Sequence, residues 1–141
     1  ELLCEMDREV VCIINLKSDG TPINCNIASM GAINQAIVEP REIFKSAILS
    51  NAAAMIMVHN HPSGNLEPSK EDTMITDRIL TLSAYMGIPL KDHVIVGGDN
   101  SSYFSFKEKE LLKVPKVSLT QNYHYLNFGQ SAMVAERGKS R

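Results

Sequence analysis

No apolar run in this 141-residue chain approaches the roughly 20 residues that a membrane-spanning helix needs. Cysteine is sparse. Cys4, Cys12 and Cys25 cannot all pair with one another, and none has CxxC spacing. Cys12 lies inside an apolar run, so the three read as reduced thiols of a cytoplasmic protein. Eight Gly and six Pro are too few for a collagen-like or low-complexity chain. No signal-peptide pattern is visible, and the first residue is Glu1 rather than Met, which reads as an excised or processed piece. Internal repeats and an interdomain linker are also missing. The length suits one domain, taken here as residues 1–113, with a mildly basic extension over 114–141 beginning at the Val114-Pro115 step. A basic surface is lacking too. Residues 1–112 carry nine basic and fifteen acidic side chains, while 113–141 carry five basic and one acidic. An acidic body argues against nucleic-acid binding through the core, which needs clustered Lys and Arg. The basic tail reads as a solvated terminus.

What is present is an alternation of apolar strands and amphipathic helices. Glu9 to Leu16 reads EVVCIINL, a β-branched run suited to a strand buried on both faces. Ser18-Asp19-Gly20 marks a turn into a looser extended stretch from Thr21 to Ile33. Glu39-Pro40 opens a helix with Ile43, Phe44, Ala47 and Ile48 on one face. Ala53 to Val58 predicts a second buried strand, and a second helix runs from about Ser69 to Met86, stopped by Gly87. The stripe Ile75, Ile79, Leu82 and Met86 on that helix reads as core. Ile88 to Val96 and Tyr103 to Phe106 predict further strands, followed by a helical turn through Leu112. This order predicts an α/β fold, with a central sheet flanked by helices.

The informative segment is HNHPSGNLEPSKED, residues 59–72. Residues i and i+2 of an extended chain point to the same side, so His59 and His61 can converge on one ion while Asn60 faces away. The loop held by Pro62, Gly64 and Pro68 can fold Asp72 back toward them. Two imidazoles and a carboxylate suit Zn²⁺ with a fourth position open for water. A plain helix start, with Ser69 as N-cap and an acid at N3, accounts for Ser69 and Asp72 without any metal. It does not account for HxHPSG at the end of a buried strand.

HxH, seven residues, then SxxD resembles the JAMM motif of the JAB1/MPN metalloproteases. It reads here as His59-Asn60-His61 and Ser69-Lys70-Glu71-Asp72. The surroundings are similar to the RadC-like branch: Pro40-Arg41-Glu42, Asn51-Ala52-Ala53-Ala54, Pro62-Ser63-Gly64, Gly87-Ile88-Pro89-Leu90, Asp92-His93-Val94-Ile95-Val96-Gly97 and Tyr103-x-Ser105-Phe106. The resemblance covers residues 5 to 112. It implies a mixed central sheet with helices of the cytidine deaminase-like architecture, and zinc held by His59, His61 and Asp72. It also implies a general-base glutamate at the start of an early strand, where Glu9 fits and Glu5 is the second choice, and an oxyanion-stabilising hydroxyl from Ser69.

The expected function is zinc-dependent hydrolysis of a peptide or isopeptide bond through a zinc-bound water, on a peptide or protein substrate. Two other classes stay open: a DNA-repair-associated accessory protein, and a catalytically silent MPN interaction module. His93 reads as a hydrogen-bonded core histidine. His124, between Tyr123 and Tyr125, reads as local packing rather than a base-stacking platform.

Overall fold

A computed structural model describes residues 8–30, 38–98 and 102–117. Cys4, Glu5, His124 and most of the 114–141 extension lie outside them. The elements in chain order are β1 (Val10–Leu16), β2 (Pro22–Met30), α1 (Pro40–Leu49), β3 (Ala54–Asn60), α2 (Lys70–Met86), β4 (Leu90–Val96) and β5 (Tyr103–Ser105). They form a mixed five-stranded sheet in the order β2-β1-β3-β4-β5. This is the α/β architecture that the alternation predicts.

Strand β1 takes a central place because both of its faces are apolar; six of its seven residues are buried. The turn after it is closed by Gly20, at φ +90°, and by the Asp19 carboxylate, which accepts the Thr21 N–H at 2.9 Å. β1 pairs antiparallel with β2 on one side and with β3 on the other, with Val11 opposite His59 and Leu16 opposite Ala54. The start of β1 therefore lies beside the end of β3. Helix α2 then carries the chain to β4, parallel to β3.

Both helices lie on one face. β2, β3 and β4 run in the same direction, and the two helical crossovers step the same way across the sheet, so the right-handed rule places them together. The buried cluster agrees: Val11, Ile13, Met55 and Met57 from the sheet pack with Ile43, Phe44 and Ala47 of α1 and with Ile79 and Leu80 of α2.

Three expected core residues are not in the core. Ile48 is 54% exposed, Met86 47% and Leu82 36%. The inward stripe of α2 is Asp72, Thr76, Ile79, Leu80 and Ser83, three of the five polar. These polar groups tolerate burial because they are bonded. The Ser83 hydroxyl donates to the Leu80 carbonyl at 2.8 Å and accepts the Leu90 N–H at 3.3 Å. The stretch after β5 also differs from expectation. Residues 106–110 form hydrogen-bonded turns rather than a helix, with Glu110 at φ +57°.

Candidate metal centre

The centre stands where β3 ends, β1 begins and α2 starts. The carboxyl end of a strand in an open α/β sheet is the usual place for a ligand, since the chain turns away there and leaves room. His59 is the penultimate residue of β3, and His61 is the first residue beyond it. The His61 N–H still bonds to the Val96 carbonyl of β4 at 2.8 Å, which keeps the extended geometry for one more residue. The two rings meet edge to face with centroids 4.7 Å apart. The alternation expected from the HxH spacing is thus present.

Asp72 arrives from the other direction. Ser69 is the N-cap of α2. Its hydroxyl oxygen accepts the Asp72 N–H at 3.0 Å, and Asp72 Oδ2 accepts the Ser69 N–H at 2.8 Å. This capping box fixes the carboxylate at the helix start, where the dipole favours negative charge. The loop from His61 to Ser69 closes back because Gly64 takes φ +84°.

The cap does not use all of Asp72. Oδ2 also lies 3.0 Å from His61 Nε2, and Oδ1 lies 3.2 Å from His59 Nδ1. His59 and Asp72 are fully buried, and His59 Nδ1 and Asp72 Oδ1 have no hydrogen-bond partner. The other nitrogen of His59, Nε2, lies 2.9 Å from Oε1 of Glu9, which is about one-third exposed. His61 donates from Nδ1 to the Asn65 carbonyl at 2.7 Å, which leaves Nε2 as the nitrogen turned into the centre. The Asp72 hydrogen bond raises the His61 pKa above its ordinary value, against burial, which lowers it. Burial alone would raise the Asp72 carboxyl, but the two imidazoles and the Ser69 N–H outweigh it and hold the group well below the usual carboxylate range.

Ligand-type atoms of Glu9, His59 and His61 come within 4.8 Å of one another, making a group able to hold a metal ion. Asp72 joins the same two imidazoles from the helix side. Donor atoms that share one tetrahedral zinc at about 2.0–2.1 Å sit roughly 3.3 Å apart. Asp72 Oδ2 to His61 Nε2 at 3.0 Å and Asp72 Oδ1 to His59 Nδ1 at 3.2 Å are close to that spacing, while the 2.9 Å contact of Glu9 is with the other nitrogen of His59. Two facing buried atoms with no hydrogen bond are what a shared cation would satisfy. The residues fit a metal.

Two supports were not readable in the sequence. The Asn60 side chain points to the opposite side and bonds to the start of β1: Oδ1 accepts the Val10 N–H at 2.5 Å, and Nδ2 donates to the Arg8 carbonyl at 2.9 Å. Behind the centre, Thr76 donates to the Asp72 carbonyl at 2.6 Å and accepts from His93 Nδ1 at 2.5 Å. His93 is buried as expected, stacked on Phe106 at 4.7 Å, with Nε2 lacking a partner. Thr76, on the buried face of α2 between Asp72 and Ser83, is the local signal for this pair.

A family profile described as "RadC-like JAB domain" matches residues 1–111. The chain is 44% identical over 106 residues to a UPF0758 protein of Protochlamydia amoebophila, covering 75% of this chain and 45% of the relative. It is 40% identical over 110 residues to a UPF0758 protein of Rubrobacter xylanophilus, covering 78% and 47%. Against a UPF0758 protein of Thermotoga maritima the identity is 41% over 104 residues, covering 74% and 46%. The chain thus spans about half the length of these curated relatives.

Proposed function

The chain belongs to the RadC-like JAB domain family, and from that premise we propose that it is a zinc-dependent hydrolase of the JAMM type acting on a peptide or isopeptide bond. The observation that carries the reading is the unsatisfied pair at its centre. His59 Nδ1 and Asp72 Oδ1 are buried, 3.2 Å apart and without hydrogen bonds, next to a second imidazole turned inward.

His59, His61 and Asp72 would hold the metal. Asp72 is preferred over Glu9 as the third ligand because it is buried and clamped by the helix cap, whereas Glu9 stands at a strand start open to solvent. A bound zinc ion supplies Lewis-acid polarisation of a carbonyl and acidifies water at its open position. Glu9, whose Oε1 lies 2.9 Å from His59 Nε2 on the far side of the ring from Asp72, would take a proton from the attacking water and return it to the leaving amine. Ser69 spends an oxygen lone pair on the cap, which leaves its O–H hydrogen to donate to an oxyanion. The substrate in this reading is a peptide or protein.

A DNA-associated role through this domain finds less support, since the body is acidic and the centre presents carboxylates. A silent interaction module would have no need of the full ligand set. Among the described residues no helix is long and apolar enough to cross a membrane. Metal analysis of the purified protein beside His59→Ala and Asp72→Ala, followed by cleavage assays on peptide and isopeptide conjugates, tests the proposal. Zinc-free wild-type protein that stays metal-free when zinc is offered would overturn it.

A further inference from the structure

We infer that Asn60 is the positioning residue for Glu9, holding the glutamate at the metal centre by gripping the peptide groups on either side of it. This rests on the reading of Glu9 as the general base.

Glu9 lies one residue ahead of β1, where a chain ordinarily frays and a carboxylate swings freely. Its backbone is nonetheless held. The carbonyl before Glu9, that of Arg8, accepts a hydrogen bond from Asn60 Nδ2, and the amide after it, that of Val10, donates to Asn60 Oδ1. The β1–β3 ladder ends at Val11 opposite His59. The planar amide of Asn60 takes the part of one more strand residue and continues that ladder past its end. Both bonds are long-range, spanning 50 and 52 residues of sequence, and Asn60 is 1% exposed.

The placement links base and ligand. Asn60 and His59 are neighbours on β3 and point to opposite sides, so one end of one strand grips the Glu9 backbone while presenting an imidazole to its carboxylate at 2.9 Å. The task needs one donor and one acceptor in a fixed plane. Asparagine meets it; aspartate lacks the donor, and serine cannot reach both groups.

The test uses the whole chain loaded with Co²⁺, whose visible absorption is followed against pH. It compares wild type, Glu9→Gln, Asn60→Ala and the double variant. Asn60→Ser stands in should the alanine variant not fold. Asn15→Ala serves as control, because Asn15 is also a buried β1-region asparagine, bonded to Asn24 and Ser46 at the other end of the strand. The expected result is that Asn60→Ala moves the spectral midpoint in the same direction as Glu9→Gln, by at least half as much. The double variant should show no shift beyond that of Glu9→Gln, and Asn15→Ala should keep the wild-type midpoint whatever its stability. In the metal-free protein, hydrogen exchange at the Val10 amide should speed up in the Asn60 variants. An unmoved midpoint in Asn60→Ala, a double variant in which the shifts add in full, or unchanged Val10 exchange overturns the inference while leaving Glu9 as base. A midpoint that Glu9→Gln does not move overturns the reading of Glu9 itself, and this inference with it.

Discussion

His59 Nδ1 and Asp72 Oδ1 face each other at 3.2 Å in a fully buried setting, and neither makes a hydrogen bond. If a metal resolves that pairing, wild-type protein binds one zinc per chain. His59→Ala, His61→Ala and Asp72→Ala each lose it, while Cys12→Ser and Cys25→Ser keep it. Elemental analysis after gel filtration reads the result. Full zinc content in any of the three alanine variants would remove that residue from the ligand set.

Chelation should lower thermal stability only modestly. The cluster of Val11, Ile13, Met55, Met57, Ile43, Phe44, Ile79 and Leu80 is apolar and excludes every proposed ligand. A domain whose folding is metal-dependent unfolds when the ion is removed. A calorimetric scan with chelator that shows no cooperative transition would make the ion structural.

Glu9→Gln keeps the length of the side chain and removes its capacity to take a proton. Zinc content and melting temperature should stay near wild type, while hydrolysis of a responsive conjugate drops on the order of 100-fold or more. Loss of zinc in this variant would recast Glu9 as a ligand, in the grouping it makes with His59 and His61.

Ser69 has two roles that substitution can separate. Glycine at an N-cap costs only a few tenths of a kcal/mol relative to serine, whereas alanine costs about 1 kcal/mol. If the hydroxyl also donates to an oxyanion, Ser69→Gly and Ser69→Ala lose activity alike, on the order of 100-fold or more, despite their different stabilities. Activity that tracks melting temperature across the two variants would reduce Ser69 to a cap.

His93 gives a pH dependence with a defined sign. Burial, helped by His59 and His61 and opposed by Asp72, pushes its pKa down from 6.5 to about 3. Below pH 6.5 the unfolded chain takes up a proton at this position that the folded one refuses, so stability falls as pH drops toward 3. The loss is at most about 1.4 kcal/mol per pH unit. Metal-free His93→Gln should show a shallower decline than wild type between pH 6.5 and 5 in urea melts. Parallel curves would show that His93 is protonated in the fold.

The sequence made the short-range part of the site legible. His59, His61, Ser69 and Asp72 lie within one strand–loop–helix segment, where alternation and the capping pattern are local rules. Glu9 could be reached only through family resemblance, because nothing near it announces a partner 50 residues away. Strand alternation turns Asn60 away from the two histidines, yet its partners are invisible in the sequence for the same reason. Helix α2 misled in a different way. An apolar stripe through Leu82 and Met86 has the right period, but periodicity cannot see that Thr76 and Ser83 are satisfied by bonds to His93, Leu80 and Leu90 and so take the inner face. The α/β class followed from the order of elements and the mixed sheet from the family resemblance, whereas the placement of both helices on one face came from the directions of β2, β3 and β4.

The adjacency of the start of β1 and the end of β3 also orders events in time. Glu9 precedes its counterparts in the chain, with His59 arriving at the end of β3 and Asp72 at the start of α2. Contacts across so many residues carry a high closure entropy and form late relative to helices and hairpins. A growing chain can fold the β1–β2 hairpin before the cluster exists. Glu9, His59, His61 and Asp72 meet only once β1 has paired with β3 and α2 has begun, so the centre is a product of long-range pairing rather than of any local segment.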